Sequence, residues 1–437
     1  MISLWQDTEH FNDHPVLEGT VKADVLIVGG GMAGVLCGYL LEERGVNCIV
    51  VEQNRIGQGI TGKTTGKVTS QHGFLYHKLL KQVGKEDAER YLKANDEAVK
   101  EYERIAAHFQ CDFEKKTNIV FSTNGSYIAE QEAKSLEQLR REFRYFDKGE
   151  LKSELPIAID GAIGFLEQAQ FHPLKFLKGI SSKLEIYENT KVLNIEGTEA
   201  MVAGGRIKAD RIVVATHFPF LTYPGAYFLK MHQERAYVIA GTGGDDLENM
   251  YVDQSGKGLS LRNHGEYLIL GGGSNRAGKI DMGWKELEQK ARRFYPNWET
   301  EYQWANQDCM SLDHMPYIGS YYGEQDKILV ATGFNKWGMT GAMVAAKLLA
   351  DTIAGTYSPY IDLFDPGRPM VKETLLSNAI QSAGHLLAPK VPRCRHLGCA
   401  LLWNERESTW DCPCHGSRYD AEGRCIENPA SHGFYQS

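Results

Sequence analysis

Apolar residues change period several times along the 437-residue chain, and each change predicts an element. Asp24-Val-Leu-Ile-Val28 is a buried-strand pattern, its four apolar residues in a row as in a strand covered on both faces. It leads into Gly29-Gly-Gly31-Met-Ala-Gly34 and a helical stretch to about Arg44, and a second strand, Asn47 to Val51, ends at Glu52. Residues 76–150 are rich in Lys, Glu and Ala with apolar residues at helical spacing, whereas 226–285 alternates as strands. The glycines at Gly241-Thr-Gly-Gly244 and Gly271-Gly-Gly273 open no helix, so they predict hairpin turns. Arg211-Ile-Val-Val-Ala215-Thr216 and Ile328-Leu-Val-Ala-Thr-Gly333 are further buried-strand patterns, the second followed by a helical run from about Gly341 to Ile353. Pro366-Gly-Arg-Pro369 marks a boundary. Beyond it, Lys372 to Leu387 carries Leu375, Leu376, Ala379, Ala383 and Leu386 on one helical face, the pattern of a connecting helix, before Pro389 and Pro392 open a last segment.

The first strand, glycine turn, helix, second strand and acid form the dinucleotide fingerprint in its required order. Gly29 serves the tight turn, Gly31 a close backbone approach and Gly34 helix packing, while Met32 and Ala33 open the helix whose amino end meets a pyrophosphate. Glu52, followed by Gln53, suits the ribose hydroxyls and disfavours a 2′-phosphate, which argues against NADP. The motif leaves flavin and nicotinamide open. The polar, glycine-rich loop Arg55 to Lys67 can bring amides and the hydroxyls of Thr61, Thr64 and Thr65 around a second phosphate and a flavin ring.

Composition narrows the setting. The chain is long enough for two or three domains, and 42% apolar content is ordinary for a globular protein. A net charge of -8 argues against nucleic acid or anionic lipid as a partner. The longest apolar run, Val25 to Leu41, is broken by glycines and lacks a signal-peptide cleavage pattern, so the expectation is a cytoplasmic protein with no integral membrane segment. Of nine cysteines, Cys37, Cys48, Cys111 and Cys425 look like single packing residues.

The remaining chemistry gathers near the carboxyl end. Cys394-Arg-His396 is answered by Cys412-Pro-Cys414-His415, and two thiolates with two neutral imidazoles suit either an asymmetric [2Fe-2S] cluster or a tetrahedral zinc. Zinc leaves the extra pair, Cys399 and Cys414, unexplained. The stretch resembles the Rieske iron-sulfur proteins of the cytochrome bc type, with all six positions filled. That resemblance implies Cys394, His396, Cys412 and His415 as cluster ligands, a disulfide between Cys399 and Cys414, and hydroxyls of Ser417 and Tyr419 that donate to cluster and cysteine sulfur and raise the potential.

Leu312-Asp-His-Met-Pro-Tyr-Ile-Gly319 and Ile328 to Phe334, taken with the amino-terminal fingerprint, resemble the FAD-dependent D-amino-acid oxidase and glycine/sarcosine oxidase superfamily over about residues 20–365. The implied fold is mixed α/β and α+β: a Rossmann-like FAD-binding domain interleaved with a mixed-sheet substrate domain, followed by a small all-β Rieske module. FAD-binding segments are expected near 20–75, 155–225 and 305–365, substrate-domain segments near 76–154 and 226–304, a linker over 366–390 and the module over 391–437. The resemblance adds Val192, Ala215, Thr216, Gly333, Phe334, Gly338, Met339 and Thr340 to the FAD contacts. The order of the parts is similar to a bacterial family of Rieske-containing FAD oxidoreductases, through Thr64 to Gly73, Gln168 to Pro173, Gly333 to Thr340 and Cys394 onward.

Such relatives move hydride from the carbon beside a neutral amine to the flavin, and the expected protein is an FAD-dependent amine or amino-acid dehydrogenase. A one-electron centre then offers an exit to an external protein carrier or quinone. Lys336 stands where a substrate-carboxylate anchor is expected, Trp337 could wall the site, and Lys67 and His72 could tune the flavin. Arg235 and Tyr237, two apart on a strand, share one face and could line the pocket; a salt bridge and a core aromatic are the plain alternative. Cys309 lies closer to Asp313 than the flavin-attaching cysteine of sarcosine oxidases does, so noncovalent FAD is expected. His72 and His77 have the spacing of an oxygenase iron pair, but the upstream acid is missing. A rival reading is an electron-transfer or redox-sensing protein reduced by NAD(P)H. It would be favoured by a second nucleotide fingerprint, and none is present.

Overall fold

The computed structural model describes residues 1–223, 225–255, 258–279, 283–322, 327–369, 375, 378 and 392–434. Among them lie three sheets, in the predicted mixture of α/β and α+β. The first has a parallel centre in which Gly19–Val28 pairs with Gly205–Val214 and Cys48–Val51, flanked by Ile328–Thr332 and Glu185–Tyr187. The carboxyl-terminal ends of its two long central strands, residues 25–28 and 212–214, and all of Cys48–Val51 are apolar and buried because helices and loops cover both faces there. The helix Met32–Glu42 packs against Gly338–Ala354, so the element after the first strand meets a late helix of the flavoprotein part.

The second sheet runs Glu299–Ser311, Met231–Thr242, Tyr267–Arg276, Ser260–His264, Met250–Asp253, Glu114–Ser122, Gly161–Gln170 and Lys67–Val68, with Arg144–Phe146 on the side of Gly161–Gln170. Its pairings are antiparallel except for Met250–Asp253 beside Glu114–Ser122. This order corrects the sequence reading in three places. Residues 76–150 are not helical throughout: the kinked helix Tyr76–Ala106 is followed by the strand Glu114–Ser122. Lys67–Val68 and Gly161–Gln170, assigned above to FAD-binding segments, pair into the second sheet instead. Gly271 to Gly273 sits inside the strand Tyr267–Arg276, opposite a register shift between Arg235 and Tyr237, and makes no hairpin turn. All three arise from pairing between distant segments, which local spacing does not encode. The helix expected over Lys372 to Leu387 lies outside the described residues apart from positions 375 and 378.

The third sheet is the small antiparallel set Leu402–Asn404, Thr409–Asp411, Arg418–Tyr419 and Cys425–Glu427. Its core is the cysteines with Leu401, Tyr419, Ala430 and Phe434. So small an apolar cluster is a poor foundation for independent folding, and the disulfide and the larger body must hold it.

Candidate functional site

The loop after Glu52 is tied down by residues far away in sequence. Trp5 Nε1 donates to Thr64 O (2.7 Å), Trp304 Nε1 to Lys63 O (2.8 Å) and Arg262 Nη1 to Gly66 O (3.0 Å), while the Ser3 hydroxyl donates to Gly62 O. These clamps explain why a glycine-rich polar loop holds one shape. It ends against the helix Met32–Glu42, where Thr61 Oγ1 accepts from Met32 N at 2.8 Å.

Between this loop and the first sheet is a cavity of about 410 Å³. Gly29, Gly31, Met32, Ala33, Glu52, Gln53, Thr61, Val192, Ala215, Thr216, Phe334, Gly338 and Met339, all expected at the cofactor, line it. Gly34, Thr64, Thr65, Gly333 and Thr340, also expected there, do not line it. Gly34 packs on Gly29 O with no room for a Cβ, which is the helix-packing task foreseen for it. Gly29 has φ +119°, and a Cβ there would lie 2.5 Å from Ala215 O. Glu52 accepts from Gly30 N (2.8 Å) and Asn54 N (2.9 Å); burial raises its pKa and those two amides oppose the rise. A cradle of bare backbone at a helix amino end, with an acid on the next strand, fits the pyrophosphate and ribose of FAD.

The carboxyl-terminal ligand set is assembled by two tight loops. Gly398 N donates to Cys394 O and Gly416 N to Cys412 O, with both glycines left-handed at φ +79° and +86°. Cys399 and Cys414 form a disulfide with Cα atoms 6.7 Å apart, joining the loops. Cys394, Cys412 and His415 are buried, and His396 and His415 rings lie 5.1 Å apart. Both Nδ1 atoms are buried without a hydrogen-bond partner, the condition expected of nitrogens reserved for iron. Burial lowers their pKa values to about 4 and about 3, so both are neutral and able to ligate. The Cys412 thiol donates to Cys394 and, with Tyr419 assisting against burial, pulls Cys394 down to about 6; Tyr419 Oη lies 3.3 Å from that sulfur. Ser417 Oγ accepts from Ala430 N at 2.9 Å. Cys412 also clusters with the sulfurs of Cys399 and Cys414, but those two are spent in the disulfide. The donor set fits a [2Fe-2S] cluster.

The two sites share a wall. Arg418, Ile426, Glu427, Asn428 and Ser431 of the small module line the same cavity as the glycine turn. Asn428 Nδ2 donates to Thr216 O (3.2 Å) and Phe218 O, and the Phe218 ring sits 6.3 Å from that of His396. Lys191 donates to Ser431 O. Buried Arg235 is bonded through Nε to Glu407 (2.6 Å), and Arg418 joins Glu407, Asp411 and Glu427. Burial works against ionisation of Glu427, yet Arg418, Arg235 and Lys63 hold it down at about 2. His217 also lines the cavity; burial lowers its pKa, and its Nε2 has no partner.

The substrate-site expectations fare differently. None of Lys336, Trp337, His72, Lys67, Arg235 or Tyr237 lines the cavity. Lys336 Nζ is 2.7 Å from both Glu234 Oε2 and Ser274 Oγ, so a substrate carboxylate would have to displace an internal one. Trp337 stacks on His72 at 4.9 Å, and His72 is satisfied by Tyr91 Oη, Thr69 O and Thr340 Oγ1, with burial lowering its pKa to about 3. Lys67 Nζ donates to Tyr251 O and Ser260 Oγ, both at 2.7 Å, and burial pulls its pKa well down. Tyr237 packs edge-on to Trp284 at 4.9 Å in a core cluster. The plain alternative holds for Arg235 and Tyr237, because the face they share is covered by the module and by Trp284. Cys425 is only half-buried, its thiol 3.0 Å from Ala430 O. Sequence reasoning missed Lys191, Gln233 and Glu427, and gave Lys63 and His217 no role of their own. Gln233 lies in the polar run His232-Gln-Glu-Arg235, where nothing local sets it apart.

Two expectations follow for these ionisable groups. Arg235→Met strips Glu407 of a buried partner and is expected to cost about 3 kcal/mol, as such removals do, lowering Tm. A substitution with no effect on Tm would show that the pair does not hold the module. Asp308 stands cross-strand from Glu234; burial raises its carboxyl to about 6, with Glu234 adding to the rise and Lys336 opposing it. A raised carboxyl favours the fold below its unfolded pKa near 3.9, and that contribution fades as pH climbs through about 6. Asp308→Asn should therefore gain on wild type by about 3 kcal/mol between about pH 4 and pH 6, and the gain should level off above that. A pH-independent difference in denaturant midpoints would contradict this.

A dinucleotide cradle walled in part by the module that carries a Rieske ligand set defines a flavin and iron-sulfur oxidoreductase. The chain belongs to the FAD dependent oxidoreductase family, whose sequence pattern matches residues 24–352, and it carries a Rieske [2Fe-2S] domain matched over 378–435. It is 31% identical to YhfW of Bacillus subtilis, a protein named for a Rieske 2Fe-2S centre, over 98% of this chain and 96% of that one. Solved structures of similar fold include glycine oxidase from Geobacillus kaustophilus (TM-score 0.67, 19% identity, 80% of this chain and 100% of that one). Another is L-proline dehydrogenase from P. horikoshii (TM-score 0.67, 16% identity, 80% and 98%). Among the described residues no helix is long and apolar enough to cross a membrane.

Proposed function

We propose that this protein dehydrogenates a small amine or amino-acid-like substrate in the cytoplasm and exports the electrons one at a time to an external carrier or quinone. The observation carrying this reading is the shared wall: residues 418 and 426–428 of the module line the cavity of the glycine turn, and Asn428 bonds the backbone of Thr216 and Phe218. Glycine oxidase and L-proline dehydrogenase, similar in fold, are named for amino-acid substrates and support the substrate class. When bound, FAD supplies a two-electron hydride acceptor and the cluster a one-electron acceptor.

The chain's own contribution is placement. Gly29, Gly31 and the helix amino end would receive the pyrophosphate, and Glu52 the ribose. Cys394, His396, Cys412 and His415 would hold the iron pair, with Tyr419 and Ser417 as donors to sulfur. Burial keeps the imidazole of His217 neutral at the cavity wall, where its unpartnered Nε2 can accept or donate a hydrogen bond but carries no charge to repel a cationic amine.

The test is anaerobic mixing of the holoprotein with secondary amines, N-methyl amino acids, proline, glycine and, separately, NADH. Flavin bleaching and the reduced-cluster signal are followed together. An amine is expected to bleach the flavin first and reduce the cluster second. Bleaching by NADH alone would defeat the substrate assignment.

A further inference from the structure

One side chain touches both sites. Gln233, on the strand Met231–Thr242, is 2% exposed and lines the cavity, yet its amide nitrogen donates to His415 O at 2.7 Å and to Asn428 O at 3.0 Å. His415 is a cluster ligand, and Asn428 is the residue bonded to Thr216 and Phe218. The oxygen of Gln233 accepts from Gln307 Nε2 at 2.9 Å, and the same nitrogen reaches Gly416 O at 2.7 Å. Both protons of the Gln233 amide are thus spent on main-chain carbonyls of the small module, and its oxygen is held by a second glutamine that grips the same loop.

Steric fit supports this arrangement. Gly416 is left-handed, and a Cβ there would meet Gln233 Cβ at 2.7 Å, so the cluster loop lies directly on this residue. On the neighbouring strand end, a Cβ on Gly278 would meet Pro413 Cα at 2.7 Å. Two buried amides would each cost about 1–3 kcal/mol if left unsatisfied. Their partners come largely from the module, which explains glutamine here in preference to an aliphatic residue.

We propose that Gln233 is a positioning residue that locks the cluster-binding loop to the flavin cavity and so sets the rate at which charge crosses between them. This rests on the relay reading above. In balance, each two-electron substrate oxidation is matched by two successive single transfers. At each, reduced flavin loses one electron and one ferric iron of the cluster becomes ferrous. The external acceptor reoxidises the cluster between transfers, and the flavin protons leave to solvent. One-electron passage falls steeply with separation, so a loop released from Gln233 slows it without altering either cofactor.

The test uses full-length holoprotein with Gln233→Met, Gln233→Glu and Gln307→Met. The flavin is photoreduced anaerobically with EDTA, which needs no amine, and the cluster is followed by its reduced-state signal and midpoint potential. Expected are wild-type FAD and iron content, wild-type flavin bleaching, a midpoint potential unchanged in Gln233→Met, and cluster reduction at least tenfold slower in both Gln233 variants. A smaller loss is expected for Gln307→Met. Gly278→Val, a wedge at the other contact, should slow transfer similarly. Wild-type transfer in Gln233→Met with intact cofactors overturns the inference, as does a slowdown accounted for by a shifted potential, or loss of FAD or iron in both Gln233 variants. If wild type itself never passes charge from photoreduced flavin, the relay reading falls and this inference with it. If no amine bleaches the flavin but photoreduced flavin still feeds the cluster, only the substrate assignment fails.

Discussion

Cys412→Ser is expected to give a yellow protein with almost no iron or acid-labile sulfide. Cys412 is fully buried, its backbone amide donates to Ser417 O at 2.8 Å, and the neighbouring sulfurs of Cys399 and Cys414 are spent in the disulfide, so no free thiolate stands ready to replace a lost one. A serine oxygen is a harder and shorter ligand that suits iron-sulfur chemistry poorly. Loss of an outer partner of a metal ligand typically costs ~10–100-fold in affinity or activity, and loss of the ligand itself should exceed that. Flavin content and flavin bleaching by substrate should persist, because no residue of the glycine turn touches Cys412. Transfer to one-electron acceptors should fall by more than about 100-fold, leaving slow reaction with oxygen. Iron analysis, the reduced-state signal and acceptor assays read the result. Normal iron content would remove Cys412 from the ligand set.

Gly29→Val should have the next largest effect, acting on the other cofactor. The backbone at φ +119° is open to glycine and strained for a β-branched residue, at a cost on the order of 1–3 kcal/mol. A Cβ 2.5 Å from Ala215 O and 2.9 Å from its carbonyl carbon must also push apart two paired central strands. Together these should lower stability by on the order of 3 kcal/mol or more and leave the protein without bound FAD as purified. Because the module leans on the same cavity, its docking should loosen too. The checks are FAD content by absorbance and a thermal scan with and without added FAD. Retention of stoichiometric FAD at wild-type Tm would show that the turn is not the cradle described.

Much of the site was legible because its chemistry is local. Gly29 to Gly34 with Glu52, and Cys394 to Tyr419, are short stretches in which residue type and spacing dictate backbone shape or ligand geometry. Strand-helix-strand order around the first motif predicted the parallel centre, and the structure places thirteen of the expected FAD contacts around one cavity. The illegible parts depend on pairing across long separations. The segment Glu114–Ser122 reads as polar and charged at its start, and becomes a strand because Gly161–Gln170 and Met250–Asp253 lie on either side of it. Lys336, His72 and Lys67 carry side chains that serve equally in a substrate site or a satisfied core. Only their neighbours, Glu234, Tyr91 and Ser260, show which.

By itself the sequence determined the cofactor-binding backbones and ligand types, since glycine conformational freedom, thiolate and imidazole chemistry, and disulfide closure act over a few residues. Tertiary structure alone decided that the two sites share a wall. Gln233, Arg235, Gln307, Glu407 and Glu427 are ordinary residue types on distant segments, and their meaning comes from the sheet pairing and module docking that bury them against one another.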